Sequence, residues 1–213
     1  MTNSAINNNA KESVEPMLKF CILWIAANGI GTAIGVIIFF LLAISLGFFG
    51  LSLPEQQSNL EIAWEMIVGD FKAAVPFGGL IGIMQWLVLR KQVTNSGFWF
   101  LTSAIAMFVG NAANDVAPLF FHLPPLPNLF LLWFLFGCVS GILQWIILQK
   151  QVHYSGVWVL INILAGGAAG ILLPDLGIIG GSIGWAMTGM FTGGALFMLL
   201  QKTKSALNTQ NVA

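Results

Sequence analysis

Long apolar runs, broken by short polar stretches, are the main pattern along this chain. A membrane-crossing helix needs roughly 20 predominantly apolar residues. The runs predict six spans, at 20–47, 74–89, 98–117, 129–148, 157–173 and 177–200. The first run is far too long for a signal-peptide core and reads as a retained span. The expected fold is all-α, a six-helix transmembrane bundle over residues 19–202. Residues 1–18 read as a polar, Asn-rich disordered cytoplasmic tail, and 203–213 as a second cytoplasmic tail. Between the first two spans, Ser58-Asn59-Leu60-Glu61 has the capping-box pattern. Leu60, Trp64, Ile67, Val68 and Phe71 then recur at helical spacing. This predicts an amphipathic helix over 59–72 on the outer interface, packed on the bundle or serving as a lid or docking surface.

The pattern also repeats. Residues 77–99 and 136–158 are identical at 13 of 23 positions, among them Gly78/Gly137, Gly82/Gly141, Gln85/Gln144, Trp86/Trp145, Lys91/Lys150, Gln92/Gln151 and Trp99/Trp158. The period covers two spans, so both copies run the same way through the bilayer as parallel repeats. The unit reads as a hairpin of spans 2–3 and again 4–5. A split third copy is suggested by Gly189, Gly193 and Lys202 in the last span, which keep the spacing of Gly78, Gly82 and Lys91. Trp24 and Gly35 in the first span match Trp99 and Gly110. That copy predicts a chain closed on itself, with span 6 beside span 1.

Gly78/Gly82, Gly137/Gly141 and Gly189/Gly193 are each four apart, which places each pair on one helix face for close helix packing. Gln85 and Gln144 share those faces and point into the bundle, where an amide needs a partner. Asn28, Ser103 and Asn162 each follow a Trp by four residues at a similar depth. The five predict an inner polar layer, either inter-helix bonding or a coordination layer for a small solute. The last span carries Leu196 there, so the layer is not threefold. Trp24, Trp86, Trp99, Trp145 and Trp158 lie near the inner ends and read as an interfacial aromatic belt, with a ligand cage as the alternative. Asn111, Asn114, Asp115, His122 and Asp175 form an outer polar cluster, read as solvated helix ends or a weak cation site.

Composition supports the membrane reading. The chain is 57% hydrophobic and only 8% charged, with mean hydropathy +0.87; a soluble domain is nearer a quarter charged. Zero net charge gives no electrostatic case for nucleic acid. Seven basic residues (Lys11, Lys19, Arg90, Lys91, Lys150, Lys202, Lys204) fall on one side of the predicted spans and Lys72 alone on the other, which predicts cytoplasmic termini. Cys21 and Cys138 sit in different apolar runs and at different depths, so no disulfide is expected. There is no metal-type spacing, no catalytic signature and no charged residue at mid-depth in a span. No enzyme, no cofactor and no metal are expected.

The repeated GxxxGxxQWxxL pattern, followed by an inner turn and Trp, runs through Gly78, Gly82, Gln85, Trp86, Leu89 and Trp99, and through Gly137, Gly141, Gln144, Trp145, Leu148 and Trp158. It resembles a group of uncharacterised multi-pass membrane proteins from cyanobacteria and related bacteria. The resemblance implies a bacterial inner or thylakoid membrane and brings no activity with it. Two functions are therefore carried forward. One is a structural or accessory protein whose partners are the lipid bilayer and other membrane proteins. The other is a small transporter or channel using the polar layer.

Overall fold

The computed structural model describes residues 3–45, 58–121, 130–172 and 177–210. It contains α1 (Asn3–Ser45), α2 (Asn59–Leu89), α3 (Trp99–Phe120), α4 (Phe130–Leu148), α5 (Gly156–Leu172) and α6 (Gly177–Gln210), with a 3₁₀ turn at Ser96–Phe98 leading into α3. There is no strand among the described residues, so the fold is all-α. Five helical stretches are long and apolar enough to cross a membrane: Glu15–Leu42, Asn59–Leu89, Ser96–Phe120, Phe130–Leu148 and Ile183–Ala206. The 17 residues of α5 are fewer and rise about 25 Å, near the lower limit for a span. Even so, α5 runs beside almost all of α4, from Trp158 bonded to Gln144 at one end to Gly170 against Phe130 at the other.

Each helix packs on the next, and α6 packs on α1, closing a ring. All six neighbouring pairs pack, so the ring by itself does not single out α2–α3, α4–α5 and α6–α1 as building units. The core falls into two layers. Towards the basic end, Trp24, Leu89, Trp99, Leu148, Trp158, Leu196 and Leu200 pack together. Towards the other end, Trp185 lies against Trp133 (5.1 Å between ring centroids) and Phe136 (4.9 Å), with Ile81, Ala106 and Met107 around them. The glycine faces let the helices approach this closely. A Cβ on Gly78 would lie 2.5 Å from the Ser103 carbonyl oxygen, and one on Gly193 would lie 2.8 Å from the Trp24 ring.

Three expectations are corrected. First, no separate helix covers 59–72, because α2 is continuous from Asn59 to Leu89. The capping box is present, with Ser58 accepting from the Glu61 N–H and the Glu61 carboxylate accepting from the Ser58 N–H. Asp70, Lys72 and Pro76 interrupt the apolar pattern but not the helix. A proline within a span removes one backbone donor, a loss that membrane helices accommodate. Leu60, Trp64 and Phe71 point outward from α2, not into the bundle. Second, α1 begins at Asn3 and α6 runs to Gln210, so much of both expected tails is helical. Extending an existing helix needs no new nucleus. Third, three of the five tryptophans read as a belt, Trp24, Trp99 and Trp158, are core, as described next.

Candidate functional site

Trp24, Trp99 and Trp158 come from alternate helices of the ring, α1, α3 and α5. All three are at most 1% exposed, and they meet at the centre. Their ring centroids lie 6.3 Å (Trp24–Trp99), 6.5 Å (Trp24–Trp158) and 6.0 Å (Trp99–Trp158) apart. These rings are core, not belt. Trp86 and Trp145 are partly buried against the same cluster. A buried indole N–H must be paired, and the polar layer supplies the acceptors.

All five predicted layer residues are buried; side-chain hydrogen bonds link Asn28, Gln85, Ser103 and Gln144, and Asn162 bonds to the carbonyl of Trp158, whose indole N–H Gln144 accepts. Trp99 donates its indole N–H to Gln85 Oε1 (2.9 Å), and Trp158 donates its own to Gln144 Oε1 (3.1 Å). The glutamine amides then reach sideways. Gln85 Nε2 donates to Asn28 Oδ1 (2.8 Å), and Gln144 Nε2 donates to Ser103 Oγ (3.4 Å). Ser103 Oγ in turn donates to Gln85 Oε1 at 3.5 Å. Asn28 and Asn162 each donate Nδ2 to the carbonyl of the Trp four residues earlier, at 2.8 and 2.9 Å. Each glutamine therefore satisfies the Trp of the following helix and ties its own helix to the one before it.

In α6 the pattern changes. Leu196 stands where the glutamines stand and is fully buried. Trp24 donates instead to Thr192 Oγ1 (3.0 Å), one turn away, and Thr192 passes its proton to the Thr188 carbonyl (2.6 Å). The six glycines lie on the matching faces. Gly78 and Gly82 meet Ser103 and Phe100, Gly137 and Gly141 meet Asn162 and Val159, and Gly189 and Gly193 meet Asn28 and Trp24.

Two further links at the basic rim were not predicted from the sequence. Gln151 Oε1 accepts from the Thr94 backbone N–H (2.7 Å) and from the Thr94 hydroxyl, while its Nε2 donates to the Thr94 carbonyl (2.9 Å). One unit further round, the His153 N–H donates to Thr203 Oγ1 at 2.9 Å. His153 is the repeat equivalent of Thr94, 59 residues on. The signal was available, since Gln92 and Gln151 are polar identities inside the aligned block.

The outer cluster is only partly gathered. Asn114 Nδ2 donates to Asp115 Oδ1 (3.2 Å), Asn111 bonds to the Met107 carbonyl of its own helix (2.8 Å), and Asp70 lies within electrostatic range of Asp115. His122 and Asp175 lie outside the described residues. Among the described residues no group of three His, Cys, Asp or Glu could hold a metal ion, and both cysteines are free. Two buried side-chain polar atoms among them lack a partner, Asp70 Oδ2 and Thr188 Oγ1. Comparison with protein-family models, with curated proteins and with solved structures gives no match for this chain.

Proposed function

We propose that this membrane protein is a non-enzymatic structural or accessory subunit that associates with other membrane proteins. On this reading it sits in a bacterial inner or thylakoid membrane with both termini in the cytoplasm. The observation that carries the reading is the buried, internally bonded polar layer. Its side chains are bonded to one another, to indole N–H groups and to Trp backbone carbonyls, and three Trp rings fill the centre at that level. A carrier or channel would need that position open. The seven-to-one division of basic residues supports the orientation. On the outside of α1, Gly29 and Ala33 are exposed, four residues apart, and a Cβ on Gly29 would meet nothing within 4 Å. A neighbouring span could approach closely there.

Mild-detergent purification from native membranes tests the proposal. A stoichiometric membrane partner should copurify with the wild-type chain and be lost from Gly29→Trp/Ala33→Trp, with unfolding of the variant unchanged. Recovery of the chain alone, together with solute flux in vesicles that Gln85→Leu/Gln144→Leu abolishes without unfolding, would replace this function with transport.

A further inference from the structure

We propose that the basic end of the bundle carries two repeat-equivalent sites for an anionic phospholipid of that leaflet. One is the crevice of about 490 Å³ between the turn that leads into α3 and the basic end of α4; the other, of about 350 Å³, lies between α5 and α6. Phe98 and Ile146 form apolar wall in the first, and Val157 and Met198 in the second. All four are exposed on the outer surface of the ring, where an acyl chain would lie. Each crevice includes one lysine, Lys150 or Lys202.

The two crevices share five equivalent lining positions, Asn95/Tyr154, Phe98/Val157, Ile146/Met198, Ile147/Leu199 and Lys150/Lys202. Val157 stands 59 residues after Phe98, the offset of the internal repeat. Met198 and Lys202 stand 52 residues after Ile146 and Lys150, the offset that relates Gly189 to Gly137. A gap left by one imperfect helix contact would have no reason to recur at matched positions with the same chemistry. The unit therefore copies a crevice as well as a packing face.

The chemistry selects the headgroup. A lysine ammonium at the end of an apolar crevice between membrane helices suits a phosphodiester whose acyl chain lies along the wall. Polar groups stand beside each lysine, Thr94 and Gln149 in the first crevice and the Tyr154 ring in the second, with Lys202 Nζ 6.0 Å from that ring's centroid. Lys150 also lines a polar pocket of about 370 Å³ with His153 and Thr203, next to the second crevice. A zwitterionic choline headgroup would bring its own ammonium towards these lysines; a phosphatidylglycerol headgroup would not.

The full chain should be reconstituted in phosphatidylcholine containing a minor share of phosphatidylglycerol, then extracted gently. Native mass spectrometry would count the retained lipids of each class. Wild type should retain phosphatidylglycerol out of proportion to its share. Lys150→Gln/Lys202→Gln should lower that preference about fivefold per site. Arg90→Gln/Lys204→Gln removes the same charge from the same end and lines neither crevice, so it should keep the preference. Ile146→Trp/Met198→Trp fills the walls without changing charge and should lower retained lipid of both classes. Four results would overturn the proposal: no preference in wild type, an undiminished preference in the Lys150/Lys202 variant, an equal loss in the Arg90/Lys204 variant, or unchanged retention in the wall variant.

Discussion

Gln85 and Gln144 stand where α6 carries Leu196, and the three places meet one requirement in two ways. Each faces a Trp whose indole N–H is sealed at the centre of the ring. In α2 and α4 the glutamine oxygen accepts that proton and the glutamine amide reaches on to Asn28 or Ser103. In α6 the Thr192 hydroxyl accepts it, and its own proton stays within the helix, on the Thr188 carbonyl. The contrast separates two roles that the glutamine combines. Pairing the indole is obligatory, because an unpaired buried donor costs about 1–3 kcal/mol. The sideways amide bond can be dispensed with. Where it is missing, between α5 and α6, a bond at the rim from His153 to Thr203 still links the two helices.

The largest effect should come from breaking both roles at once. Gln85→Leu leaves the Trp99 N–H and Asn28 Oδ1 without their partners and should cost about 3 kcal/mol. Gln144→Leu should cost less, about 2 kcal/mol, because its bonds are longer and Ser103 keeps its bond to Gln85. Equilibrium unfolding in mild detergent, followed by tryptophan fluorescence, would measure both; negligible losses would show that these bonds do not hold the bundle, and equal losses that their lengths do not rank them. Gly82→Ala comes next. Its Cβ would run into the Phe100 backbone, which cannot rotate away, so about 2 kcal/mol should be lost. Gly194→Ala, one residue beyond Gly193 in α6, meets nothing within 4 Å and should be neutral or slightly stabilising, because Ala is the better helix former.

The role of α6 can be tested by exchange. Thr192→Val removes the acceptor for Trp24 and should cost about 1.5 kcal/mol. Adding Leu196→Gln puts an amide where the other two units carry one, within the buried cluster that holds Trp24. The double variant should recover most of the loss, a coupling of about 1 kcal/mol in a double-mutant cycle. Simple additivity would mean that α6 cannot adopt the arrangement of α2 and α4.

Much of this layer was legible because the repeat and the helical period act together. Gly78, Gly82 and Gln85 share a face by spacing, and duplication marks the same face twice. The depth of the tryptophans was also available but went unread. Trp24/Asn28, Trp99/Ser103 and Trp158/Asn162 are each four residues apart. Residues at that spacing lie on one face of a helix, so if Asn28, Ser103 and Asn162 point inward, their tryptophans must too. A Trp near a helix end satisfies an interfacial rule and a buried-donor rule equally well until its neighbours on the face are counted. The change of acceptor in α6 was not legible, because Thr192 aligns with Ile81 and Ser140, not with the glutamines. Only the fold brings it to Trp24. The continuity of α2 was hidden for a different reason. Hydropathy reports where a helix is apolar, whereas helix formation depends on the backbone, which tolerates Asp70, Lys72 and Pro76.

A smaller effect than the loss of any layer bond separates the two inner turns. Asn95 and Tyr154 are repeat equivalents, and both are left-handed, with φ of 58° and 59°. Asparagine adopts this conformation with little penalty, whereas for a bulky residue it costs about 1–2 kcal/mol. Tyr154→Asn should therefore relieve about 1 kcal/mol of backbone strain. It also removes the ring beside Lys202, an exposed cation–π contact worth about 0.5 kcal/mol. The net expectation is a gain of about 0.5 kcal/mol, with Asn95→Tyr losing about 1 kcal/mol, reduced by whatever contact the new ring makes with Lys150, which lines the same crevice. If Tyr154→Asn is destabilising instead, the contact with Lys202 outweighs the strain. The tyrosine would then be held in a costly conformation for the sake of the lysine, and the two turns, alike in backbone, would differ in what each side chain is kept for.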